Sequence, residues 1–440
     1  MINPRDKIHR WLSLLLWAFI LSLLFDGALR KWFFPGLSDI LLLSRLPIVA
    51  AIYLLALSKN IFPVNRFIIF VGLLAILTTL TGYLAHGNYS VLAYGIITNF
   101  LFIPLIFIFP KVWNKEDVQR VGKFVLIVGI PMTALIALQF YQPQSAWVNR
   151  SVGGAEGAGF TGALGRYRPP GTFSFITGVA QFYTLYFAFF LSQFIEKRTL
   201  KMALLVVCGA CVPLAVFGSI SRLLALSVAV VFILGIIALL INGRRIPNSL
   251  KVLAAMVVFT LMAGQLPFFH DATDAFSARW ERATGEERGG FREAILARTL
   301  GELTGPFARM DRIPFWGYGL GTGTQAGSQL LAGQRGFILG EGEWSRVMSE
   351  LGPLLGVLFI AYRVVLVLFL GKIAMRQLRF SNFLPWLIFS AIFLLIFYGQ
   401  WGQQTTLGFA ILGAGLMLSA CLPTKRKSSQ NVEEAIEVHG

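Results

Sequence analysis

Apolar runs of close to 20 residues, separated by short charged segments, recur along almost the whole chain. A helix needs roughly 20 mostly apolar residues to cross the hydrocarbon core of a bilayer. Within lipid, only structures that satisfy their own backbone hydrogen bonds are tolerated. The repetition therefore predicts an all-α, polytopic membrane protein. Spans are expected at 11–29, 38–58, 67–85, 91–109, 121–140, 172–194, 202–218, 223–241, 252–269, 347–370, 382–399 and 404–422, about twelve transmembrane helices. Of 440 residues, 56% are hydrophobic and 13% charged, against about 45–50% and about 25% in a soluble domain. The first span follows Arg5, Lys7 and Arg10 as a signal peptide would. It is long for that role and lacks a small-residue cleavage site, so a retained anchor is expected. The chain divides into a bundle of nine spans (1–269), a large helical outer loop (270–346), three further spans (347–423) and a polar cytoplasmic tail (424–440) expected to be disordered.

A net charge of +17 suggests nucleic acid at first sight, but basic residues accumulate in cytoplasmic loops of membrane proteins. With the N-terminus inside, every predicted inner loop is basic, and of the lysines only Lys31 falls outside. The outer basic residues are otherwise arginine, among them Arg30, Arg45, Arg150, Arg166, Arg168, Arg222, Arg279, Arg282, Arg292, Arg298 and Arg346. The inside rule predicts depletion there and cannot explain them. Arginine's planar fork matches phosphate and carboxylate and stays charged where water is scarce. An anionic, phosphate-bearing substrate on the outer side would call for such a face. The alternative for the 279–312 stretch is pairing with the loop's own acids, such as Asp271, Asp274 and Glu281. That alternative is weaker for Arg168 and Arg222, which sit at membrane edges with no acid nearby in sequence.

The three cysteines, Cys208, Cys211 and Cys421, lie in apolar runs and read as packing residues; no metal and no cofactor is expected. A Gly157-x-Gly159-x-x-Gly162 pattern occurs in the outer segment 141–171, but a dinucleotide site needs a preceding strand and a βαβ unit. In the larger outer segment, Phe276–Thr284 and Gly290–Leu303 have helical spacing. The glycines of Gly317-Tyr318-Gly319-Leu320-Gly321-Thr322-Gly323 preclude a stable helix and let backbone N–H groups approach a ligand closely. The bland alternative is a tight turn. Glu343, Arg346 and Glu350 share a helix face by i, i+3, i+7 spacing at the mouth of span ten, where charges are costly unless paired or functional. Asp26 and Arg30 form an i, i+4 pair, read as structural. Arg363, inside span ten, is expected to snorkel or to meet a polar partner within the bundle.

In order and spacing, Arg168-Pro-Pro-Gly-Thr-Phe before span six, Ser219-Ile-Ser-Arg222 before span eight, Gly317–Gly323, and Glu350-Leu-Gly together resemble the O-antigen ligase and O-antigen polymerase superfamily of bacterial envelope glycosyltransferases. Arg279 and Gly290 also fit an arginine-x10-glycine pattern of such polymerases, and Asp26-Gly-Ala-Leu-Arg-Lys-Trp resembles the start of some polymerase-like members. The resemblance implies a GT-C type fold in the bacterial inner membrane with both termini cytoplasmic. It implies a metal-independent inverting transfer, on the periplasmic side, from a glycan on undecaprenyl pyrophosphate to a glycan or lipid acceptor. The product would be lipopolysaccharide or exopolysaccharide, and the partners would be the lipid-linked glycan, membrane lipid and other polysaccharide assembly proteins, with no nucleic acid. Family ligases carry a histidine nine residues before the glutamate of Glu-Leu-Gly; here that position is Glu341. Glu343 or Glu341 is therefore the expected general base, with Arg346 orienting it or binding phosphate. Arg168, Arg222 and Arg279 or Arg282 are the expected pyrophosphate clamp, and Glu350 joins the substrate-binding set. A lipid-linked glycan flippase or a polysaccharide exporter is the alternative.

Overall fold

The computed structural model describes residues 4–155, 165–196, 198–242, 270–284, 301, 303–308, 310–324, 327, 330–331 and 342–423. Its helices are α1 (Pro4–Ala28), α2 (Arg45–Ser58), α3 (Arg66–His86), α4 (Tyr89–Ile96), α5 (Leu105–Val112), α6 (Lys115–Tyr141), α7 (Ile176–Ile195), α8 (Met202–Gly218), α9 (Arg222–Asn242), α10 (His270–Thr284), α11 (Glu343–Leu378), α12 (Leu384–Phe397) and α13 (Gln404–Ala420). Among the described residues, seven helical stretches are long and apolar enough to cross a membrane. The pair α4–α5, bent by 45°, makes an eighth. The protein is thus an all-helical, polytopic membrane protein.

The expected spans one to eight and ten to twelve each coincide with a helix or with that bent pair, while 252–269 lies outside the described residues. The helices differ in length, and α12 is shorter than the expected span 382–399. α12 has 14 residues, about 21 Å of helix against a hydrocarbon core of about 30 Å; α8 and α13 have 17 each. α12 and α13 lie in the middle of the bundle: α12 packs against α7, α9, α11 and α13, and α13 against α5, α7 and α12.

Burial explains which spans are the greasiest. α9, the most apolar of these spans, is 28% buried over its apolar stretch, whereas α7, the least apolar, is 94% buried. A helix facing lipid has only apolar neighbours, while an enclosed one can carry polar groups that find partners inside. α7 does so: Gln181 donates to Thr406 Oγ1 (2.7 Å), Tyr183 to the Gly129 carbonyl (3.0 Å) and Tyr186 to the Cys208 carbonyl (2.8 Å).

One end of the bundle is fastened through Glu196. Its Oε1 accepts from the backbone N–H of Phe383 (2.7 Å) and Leu384 (2.9 Å), capping α12. Its Oε2 pairs with Lys115 Nζ at 2.8 Å. Lys115 also donates to Asn382 (2.7 Å), and Asn382 donates to the Ala420 carbonyl at the end of α13 (3.0 Å). Four helices are therefore registered against one carboxylate. Glu196→Ala removes the cap and the ion pair together and is expected to cost about 1–2 kcal/mol, read as a lower thermal midpoint of the purified protein in detergent.

Candidate functional site

Sequence spacing predicts a continuous span ten, with Glu343, Arg346 and Glu350 at its mouth. The structure breaks it. Gly352 adopts φ 78°, ψ 168°, a conformation open to glycine and hostile to residues with a Cβ, and Pro353 follows. The short arm 343–351 folds back against the long arm 353–378. Glu343 Oε1 lies 2.7 Å from Arg363 Nη1; twenty residues of straight helix would hold them about 30 Å apart. The expected boundary between outer loop and membrane bundle at 346 accordingly falls inside a buried helix.

The glycine loop closes over this break. Tyr318 and Gly319 donate their backbone N–H groups to the carbonyls of Ser349 (2.8 Å) and Glu350 (3.0 Å), which the end of the short arm leaves without helical partners. Gly321 and Gly323 donate theirs to Glu350 Oε2 (3.0 Å) and Oε1 (2.9 Å). Gly317, Gly319 and Gly321 all have positive φ. A Cβ on Gly317 would run into the Glu350 and Gly352 backbone, and one on Gly321 into Val91. The close approach anticipated from the sequence is real, and what it grips is the chain's own carboxylate. His86 Nδ1 accepts from the Asn88 N–H (3.1 Å), so Nε2 carries the proton and donates to the Leu320 carbonyl (3.2 Å).

Arg346 stands at the centre. Its Nε and Nη2 donate to Glu343 (3.0 and 2.9 Å), its Nη1 to Glu350 (2.9 Å) and its Nη2 also to Asn99 Oδ1 (2.9 Å). Asn99 reaches it from a π-helical turn, Ile97–Leu101, at the bend between α4 and α5. Arg363 donates to the carbonyls of Ile396 (2.7 Å), in the last turn of α12, and Gly399 (2.7 Å), just past it, and lies over the Trp401 ring at 4.2 Å. These are the partners that unwound backbone at membrane depth requires. Glu343, Arg346, Glu350 and Arg363 are 5%, 3%, 1% and 0% exposed. Two carboxylates face two guanidiniums, and the group is neutral. Arg363 thus meets a polar partner within the bundle rather than snorkelling.

Both oxygens of Glu343 are occupied by arginine, and those of Glu350 by arginine and backbone. A further hydrogen bond to Glu343 or to Glu350 Oε1 would compete with a guanidinium, and one to Glu350 Oε2 with the Gly321 N–H. The geometry therefore gives Glu343, Arg346 and Glu350 the part of fixing the fold around the break. Glu341, the other expected base, lies outside the described residues.

The expected clamp is assembled differently. Arg168 precedes α7, Arg222 opens α9, and Arg279 lies on α10; all three are half-buried. Arg279 Nη1 donates to the Ile220 carbonyl at 3.0 Å. Ile220 sits at φ 49°, a costly value for a β-branched residue. α10 is docked there through Ala272 and Ala275, which pack with Ile220 and Phe140, and through Phe276 edge-on to Phe217. It begins at His270, earlier than the expected Phe276. Arg168 Nε is buried with no hydrogen-bond partner among the described residues. Burial, then the charges of Arg279 and Arg222, push Arg168 down to about 10; burial, then Arg222, lowers Arg279. Three guanidiniums that the sequence spreads over more than a hundred residues are near enough to repel one another. Neighbouring Arg166 is balanced instead, by Asp271 at 2.6 Å. The side chain of Arg282 lies outside the described residues.

Sequence reasoning missed Asn99, because nothing in an apolar run marks a π-turn. It also missed the part of Arg45, which links Asp26 Oδ2 (2.7 Å) to the Gln404 carbonyl (2.7 Å). Asp26 and Arg30, the expected i, i+4 pair, approach only to 3.8 Å.

Glu343→Gln leaves two buried guanidiniums short of their counter-charge and is expected to destabilise by about 3–5 kcal/mol, seen as a reduced yield of folded protein. Arg168 behaves oppositely. Its native pKa, about 10, lies below the ordinary arginine value of 12.5, so its charge opposes folding at every pH below about 10. That opposition fades as pH rises toward 12.5. Arg168→Met is therefore expected to raise the thermal midpoint at pH 7–8 without added anion, with the gain shrinking above pH 10.

No known protein family, curated protein or solved structure matches this chain.

Proposed function

We propose that the chain is a membrane glycosyltransferase that polymerises or ligates a glycan carried on undecaprenyl pyrophosphate, working at the non-cytoplasmic face of a bacterial inner membrane. The observation that carries this reading is the gathering of Arg168, Arg222 and Arg279. Like charges held together in half-buried positions suit a ligand that brings negative charge, and a pyrophosphate leaving group at the lipid–water boundary brings it as the reaction proceeds. Fixed cations in a low-dielectric setting stabilise such charge more than they would in water.

In the proposed reaction the acceptor hydroxyl attacks the anomeric carbon from the face opposite the lipid pyrophosphate. The new glycosidic bond forms as the old carbon–oxygen bond breaks, with inversion, and the bonding electrons leave on the pyrophosphate. The hydroxyl proton passes to a carboxylate base. With Glu343 committed to Arg346 and Arg363, Glu341 is the better of the two sequence candidates. The GT-C type architecture, about twelve spans and cytoplasmic termini belong to this proposal.

Arg168→Ala, Arg222→Ala and Arg279→Ala are each expected to lower glycan transfer by about 10²–10³-fold while membrane insertion persists. The assay incubates purified protein with lipid-linked oligosaccharide and reads chain length. Full activity in all three variants would remove the clamp. Movement of the lipid-linked glycan across the bilayer with no change in chain length would favour the flippase or exporter reading instead.

A further inference from the structure

Lys31 belongs to the Asp26–Trp32 motif that the proposed chemistry does not use, and its surroundings are unusual. Its ammonium is 1% exposed and faces two backbone carbonyls, those of Gly171 (2.6 Å) and Phe173 (2.9 Å), and the Trp32 ring at 4.6 Å. Among the described residues it meets carbonyls and no carboxylate, so it loses hydration without gaining a counter-charge. As a device for stability it is a poor one.

The two carbonyls belong to the turn that follows Arg168. Pro170 accepts from the Phe173 N–H (3.0 Å), Gly171 sits at φ 57°, and Thr172 Oγ1 donates to the Leu24 carbonyl (2.6 Å). Gln139, 0% exposed, grips the same turn from α6. Its Oε1 accepts from the Gly171 N–H (2.8 Å) and its Nε2 donates to the Gly171 carbonyl (3.3 Å). Gly27 lets the end of α1 press onto Thr172–Ser174, where any Cβ would collide with backbone. Between this turn and Arg168 stand only Pro169 and Pro170, whose rings fix φ near −65°. The orientation of the turn is therefore passed on to Arg168 with little slack.

We infer that Lys31, together with Gln139, is a positioning residue for Arg168: its ammonium holds the Gly171–Phe173 turn so that the Arg168 guanidinium meets the pyrophosphate beside Arg222 and Arg279. The inference rests on the clamp proposed above. A misplacement of about 1 Å at a charged contact can cost on the order of 10²-fold, which would give a purpose to a lysine placed where stability alone does not favour one.

The experiment measures the thermal midpoint of the purified full chain in detergent, alone and over a titration of inorganic pyrophosphate, for wild type, Arg168→Ala, Lys31→Met and Gln139→Leu. Wild type is expected to be stabilised by pyrophosphate. Lys31→Met is expected to match or exceed the wild-type midpoint without ligand, yet to need about tenfold more pyrophosphate for the same shift, a response comparable with that of Arg168→Ala. Gln139→Leu leaves the ammonium in place, decides the matter if Lys31→Met does not fold, and is expected to weaken the response in the same direction. Undiminished pyrophosphate response in Lys31→Met or, where that variant does not fold, in Gln139→Leu, alongside its loss in Arg168→Ala, overturns the positioning role and leaves the clamp standing. No response in wild type removes the clamp and this inference with it.

Discussion

The contact between Glu343 and Arg363 sets the shape of the region around it, because a straight helix forbids it. The two residues share one helical stretch and touch only because Gly352 reverses the chain between them. Once the short arm folds back, its terminal carbonyls need donors, and the glycine loop supplies them. Its carboxylate at Glu350 needs donors too, and the same loop supplies two more. The long arm places Arg363 under the end of α12, where the helix stops inside the bundle and its carbonyls would otherwise be stranded. Three interruptions of regular helix, at Ile97–Leu101, at Gly352 and at Gly399–Gln403, are thus mutually satisfying. None of them would be tolerable alone in an apolar setting.

The arginines of this protein fall into two electrostatic classes. Arg346 and Arg363 are fully buried, matched one for one by Glu343 and Glu350, and saturated with hydrogen bonds. Such an arrangement stabilises one packing and has little to offer a ligand. Arg168, Arg222 and Arg279 are half-buried, lie close enough to repel one another, and include, in Arg168, a buried Nε with no acceptor among the described residues. Repulsion of that kind would be relieved by an anion, which is the basis of the proposed clamp. The contrast separates charges tied into the break of the helix from charges that lie beside others of the same sign, and the clamp proposed above is built on the second group.

Several features were legible in the residue order for clear physical reasons. Hydropathy gives the helices, because a segment that crosses lipid must be mostly apolar and helical over close to its full length. The i, i+3, i+7 spacing of Glu343, Arg346 and Glu350 gave their shared face, since helix geometry is local. The alternating glycines from Gly317 gave a loop able to approach a partner through its backbone. The identity of that partner was not legible, because Glu350 lies about thirty residues further on and reaches the loop only after the chain folds back. Hydropathy was likewise silent on which spans are enclosed: α7 and α9 both pass as spans, yet one is wrapped by neighbours and the other faces outward.

The amino-acid order alone therefore determined that this is a helical membrane protein whose lysines, Lys31 apart, fall in one alternate set of loops and whose other set is rich in arginine. Those properties follow from interactions of each segment with lipid, water and its own near neighbours. Tertiary structure decided which charges are neutralised and which are left in excess, because that depends on contacts between residues far apart in the chain: Glu343 with Arg363, Arg346 with Asn99, Lys31 with Gly171, and Arg168 with Arg279. Charge balance in a low-dielectric interior is a property of the whole arrangement, and no local pattern can announce it.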